Sequence, residues 1–143
     1  MLLFSFREVE KLKEMIEDEK FSGIIEHCTE LIKNENTEKS LKDLSLSLRG
    51  TFYILNKQQR EAMSDLTTLI DDSEVSAKIR ANALIKRASL YIQQCKDPQQ
   101  DPLRAMADFS KAEEIDSENC DIYHHRGQVN SVSYTHLRGP RDS

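Results

Sequence analysis

Few residues of this chain have the chemistry to act on a substrate. The first to weigh are two adjacent pairs, His27-Cys28 and His124-His125. Imidazole and thiolate ligate metals, and imidazole moves protons near neutral pH. Neighbours on a helix diverge by about 100°, so neither pair closes comfortably on one ion. The three cysteines, Cys28, Cys95 and Cys120, are odd in number and show no Cys-x-x-Cys spacing. That argues against a disulfide framework or a zinc site and fits a reducing compartment. No Ser–His–Asp spacing, glycine-rich phosphate loop or paired-carboxylate motif stands out. The residues therefore predict a non-enzyme, with no catalytic residue, no metal and no cofactor. Arg49, Arg87 and Arg126 recur at nearly even spacing. Either they form a basic ladder along a groove, or each packs its stem between helices and pairs with a nearby acid. The second reading is the simpler one.

The elements that must carry these residues are helices. Only seven of the 143 residues are glycine or proline, and 31% are charged. Few chain breakers and many charges exclude a turn-rich β-sandwich or barrel. Apolar spacing predicts helices at about 7–18, 21–34, 40–56, 59–71, 76–95 and 102–115, with a seventh from about 119. The second carries the stripe Phe21, Ile24, Ile25, Cys28, Leu31, Ile32. The third and fifth are apolar over a wider arc and are expected to pack between two neighbours. Asp101-Pro102 reads as an N-cap followed by a first-turn proline, and Thr37, Ser73 and Ser117 as further caps. The formal net charge of −5 and pI near 5.4 disfavour nucleic acid as a partner. No apolar run reaches the ~20 residues of a membrane span.

The sequence repeats. Leu46-x-x-Arg49-Gly50-x-x-Tyr53 returns as Leu84-x-x-Arg87-Ala88-x-x-Tyr91 and in part as Tyr123-x-x-Arg126-Gly127. Gly50 and Ala88 stand 38 residues apart, and Ala88 and Gly127 stand 39 apart. The helices that alternate with these align as well: Ile24/Cys28/Leu31, Ala62/Leu66/Leu69 and Ala105/Phe109/Ala112. Between the second and third of these sets, five extra residues fall near Lys96–Gln100. A mid-helix glycine costs about 1 kcal/mol against alanine, so Gly50 calls for a close helix contact. Gly50, Ala62, Ala88, Ala105, Phe109 and Gly127 are the expected packing positions of the repeat.

This pattern resembles the tetratricopeptide repeat, a 34-residue helix pair. It implies an all-α solenoid of antiparallel helix pairs. Residues 7–128 would hold about three and a half repeats, residues 1–6 a non-native leader, and residues 129–143 a non-native or disordered tail. Arg80–Ala88, Ala107-Asp108-Phe109 and Asp121–Gln128 are similar to the C-terminal repeats of the large tetratricopeptide receptor of the mitochondrial outer-membrane import translocase.

That resemblance implies a piece of a receptor on the cytosolic face of the outer membrane, soluble by itself, that binds hydrophobic mitochondrial precursor proteins and other translocase subunits. Chaperones would be reached only through receptor parts absent here. The chaperone clamp of such proteins uses a lysine and an asparagine in the opening helix, then Lys-x-x-x-Arg. This chain has Val9 and Lys13, then Asn82-x-x-x-Lys86, so the clamp is unmatched. The alternative is a cytosolic co-chaperone or assembly adaptor built on the same repeat. In such arrays the inner helices line the binding groove. The resemblance thus makes Ser47, Thr51, Ile54, Asn82, Ile85, Ser89, Ile92, His124 and Gln128 groove candidates. Small polar and aliphatic groups together suit a hydrophobic or amphipathic segment, although Ile54, Ile85 and Ile92 fit a core equally well.

Overall fold

The computed structural model describes residues 6–17 and 20–116, with the backbone alone at residues 6 and 15–17. Among these residues the chain is all-α. Its helices are α1 (Phe6–Glu17), α2 (Phe21–Lys33), α3 (Lys39–Leu55), α4 (Gln59–Asp71), α5 (Ala77–Gln94) and α6 (Asp101–Ile115). Each boundary lies within one residue of that expected from apolar spacing, and α1 takes in Phe6 of the supposed leader. The seventh segment, residues 119–128, the Ser117 cap and the tail at 129–143 lie outside the described residues, as do His124, Arg126, Gly127 and Gln128.

The helices fall into two compact units, residues 1–71 and 72–143. In the first unit α2 packs on α1 and α3, and α3 packs on α2 and α4. The wide apolar arc of α3 is thus accounted for, because the helix has two neighbours to cover. In the second unit α5 packs on α6. Within each unit, consecutive helices joined by a few residues pack directly on one another. Helices packed on their chain neighbours, with no strand among the described residues, fit the tetratricopeptide class.

The first core is built on Ile24, Cys28 and Phe52, with Leu12, Phe21, Ile25 and Leu48 packed against them. Phe21 and Phe52 meet with ring centroids 5.7 Å apart at a 41° tilt. Ala62, Leu66 and Leu69 of α4 are fully enclosed. In the second unit Val75, Ala81, Ala83, Leu84, Ile85, Ala88 and Leu90 are buried with Ala105, Phe109 and Ala112. Enclosing one Leu, Ile or Phe side chain contributes about 1.5–3 kcal/mol. Gly50 faces α4: a Cβ there would lie 3.5 Å from both the Asp65 Cβ and the Leu66 Cδ2. Ala88, its counterpart in the repeat, is buried on α5.

The caps differ from the sequence reading. Helix α3 is capped at Glu38 and not Thr37, without a side-chain bond. Helix α5 is capped at Ser76 and not Ser73; the Ser76 hydroxyl accepts the Ile79 amide at 3.3 Å. Asp101 is the first residue of α6, and Gln100 holds the cap position. The Asp101 carboxylate turns back into the connection, accepting the Asp97 amide at 3.0 Å and Arg104 Nη1 at 2.6 Å. It moves inward because the helix ladder already begins one residue earlier, where the Arg104 amide donates to the Gln100 carbonyl. Pro102 keeps its first-turn place.

Candidate functional site

Of the repeated arginines, Arg49 and Arg87 are held in ion pairs, and Arg126 lies outside the described residues. Arg49 on α3 grips Asp65 on α4 with two parallel bonds, Nε to Oδ2 at 2.8 Å and Nη2 to Oδ1 at 2.7 Å. Its remaining nitrogen, Nη1, donates to the Thr29 hydroxyl on α2 at 3.0 Å, and its guanidinium lies 5.5 Å from the Tyr53 ring centroid. The Thr29 hydroxyl in turn donates a hydrogen bond to the Ile25 carbonyl at 2.8 Å. One side chain thus joins three helices. Arg87 on α5 repeats the fork on Asp108 of α6, at 2.7 and 2.8 Å. The side chains are largely enclosed, with 17% and 6% exposure for Arg49 and Asp65 and 18% and 9% for Arg87 and Asp108. Planar forks of this kind add geometric register as well as energy.

The sequence suggests a nearby acid for each arginine without naming it; Asp65 and Asp108 are those acids. A signal was present: each stands three residues after the small residue of its helix, as Ala62-x-x-Asp65 and Ala105-x-x-Asp108. The arginine–aspartate separations are 16 and 21 residues, so the five extra residues fall between the paired positions. In α2 the matching slot, three after Ile24, holds His27. This histidine is half-buried, while Cys28 beside it is closed from solvent. Burial, with the Arg49 charge opposing it, pushes the Cys28 thiol up to about 11, which marks an inert core sulfur. Among the described residues, no group of three or more His, Cys, Asp or Glu side chains is arranged to hold a metal.

The groove candidates divide by unit. On α3, Ser47, Thr51 and Ile54 are half-buried. On α5, Asn82, Ser89 and Ile92 are half-buried, whereas Ile85 is only 5% exposed. Ser47, Thr51 and Ile54 correspond in repeat phase to Ile85, Ser89 and Ile92, 38 residues on. The matched hydroxyls behave alike. Thr51 donates to the Ser47 carbonyl at 3.0 Å, and Ser89 donates to the Ile85 carbonyl at 3.0 Å. Each hydroxyl thus donates within its own helix. Lys86, next to Ile85, is held below the usual lysine range by burial. Among the described residues no helix is long and apolar enough to cross a membrane.

No protein-family profile matches the chain. Individual proteins do. Over 119 residues, 83% of this chain, it is 43% identical to the mitochondrial import receptor subunit TOM70 of Homo sapiens. Over the same length it is 40% identical to the TOM70 subunits of Rattus norvegicus and Mus musculus. The matched stretch is 18% of each relative, so the chain spans under a fifth of their length. At this level of identity the chain is TOM70-like.

Proposed function

We propose that this TOM70-like chain is a protein-binding module of a mitochondrial import receptor, and that it captures hydrophobic or amphipathic segments of precursor proteins without covalent chemistry or a cofactor. The observation that carries the reading is the phase match of the α3 and α5 faces. Thr51 and Ser89, and Ile54 and Ile92, take the same places in successive repeats, half-open to solvent. Each face presents aliphatic surface beside hydroxyls whose protons are committed to their own helix carbonyls. The net charge of −5 adds a preference for basic segments. His124 and Gln128 complete the proposed set from outside the described residues. The parent protein would work at the cytosolic face of the mitochondrial outer membrane beside other translocase subunits.

The test is a titration of the folded chain with an amphipathic basic precursor peptide and, at matched concentration, with an acidic C-terminal chaperone peptide. Ile54→Asp and Ile92→Asp are expected to weaken precursor binding at least tenfold, about 1.4 kcal/mol, because an unpaired charge within a bound apolar contact is costly. Circular dichroism must show that both variants keep their helices. Ile85→Asp is the wrong probe, since its 5% exposure puts a new charge into the core. Tight binding of the acidic peptide, with none of the precursor peptide, would replace this reading by the cytosolic co-chaperone one.

A further inference from the structure

We draw no further inference here: the strongest candidate, the side-chain cluster in which Arg49 of α3 joins Thr29 of α2 to Asp65 of α4 beside the Tyr53 ring, belongs to the helix packing already described, and nothing in the structure points to a ligand at it.

Discussion

Cys28 shows how a reactive residue type is made inert by its surroundings. Ile24 and Phe52 share its cluster, and no part of the side chain reaches solvent. A thiol at about 11 holds almost no thiolate at pH 8. In a chain whose other cysteines are replaced by serine, Cys28 is expected to react with a disulfide reagent only as fast as the protein unfolds. Rapid labelling under native conditions would contradict the enclosed core. The same shift sets a pH dependence. Burial raises the folded value above the ordinary 9.0, so the contribution to stability is complete below 9.0 and is lost as pH rises to about 11. Lys57 supplies a second residue-scale case. It follows α3 with φ at 61°, in the left-handed region where a Cβ costs about 1–2 kcal/mol. Lys57→Gly removes that strain but frees the unfolded chain, so a net gain of about 0.5–1 kcal/mol is expected in urea unfolding. A loss of stability would mean that the lysine side chain contributes more than its backbone strain costs.

Between helices, the energetic question is what an enclosed ion pair contributes. Asp65 is 6% exposed and accepts both bonds of the Arg49 fork. Removing one partner of a buried pair typically costs 3–5 kcal/mol; with Arg49 partly exposed, Asp65→Ala is expected to cost about 2–3 kcal/mol. Replacing both, as Arg49→Met with Asp65→Leu, is expected to lie within about 1 kcal/mol of the parent, because neither charge is then stranded. Denaturant unfolding of the two single variants and the double variant measures the coupling directly. Additive losses would show that the fork sets register without contributing a coupled energy. The α3–α4 pairing was legible in the sequence from the short connection and the small residue Gly50. The acid that meets the arginine was not picked out, because a 16- or 21-residue separation follows no helical period and the fork closes only once two helices lie side by side.

At the scale of the molecule the governing number is the charge, 20 basic against 25 acidic side chains. An acidic surface attracts a basic amphipathic segment over a distance that salt shortens, from about 30 Å at 0.01 M to about 8 Å at 0.15 M. Binding of a basic precursor peptide is therefore expected to weaken several-fold between these ionic strengths and then to level off, the remainder being apolar contact. Affinity that stays constant across this range would remove electrostatics from the recognition and leave the aliphatic positions of α3 and α5 as its basis. The candidate contact residues were only partly readable before folding. Isoleucines at 54, 85 and 92 look alike along the chain, yet 54 and 92 are half-open and 85 is enclosed.

Among the described residues, the sequence by itself determined the six helices and their ends to within a residue. Those features depend on a 3.6-residue apolar period and on scarce glycine and proline. Only the tertiary structure decided that Arg49 and Arg87 are held by Asp65 and Asp108, that Asp101 turns its carboxylate back toward Asp97 and Arg104, and that Ile85 belongs to the core. Each of these depends on which atoms come within about 3 Å through space, a register set jointly by packed helices and carried by no local stretch of chain.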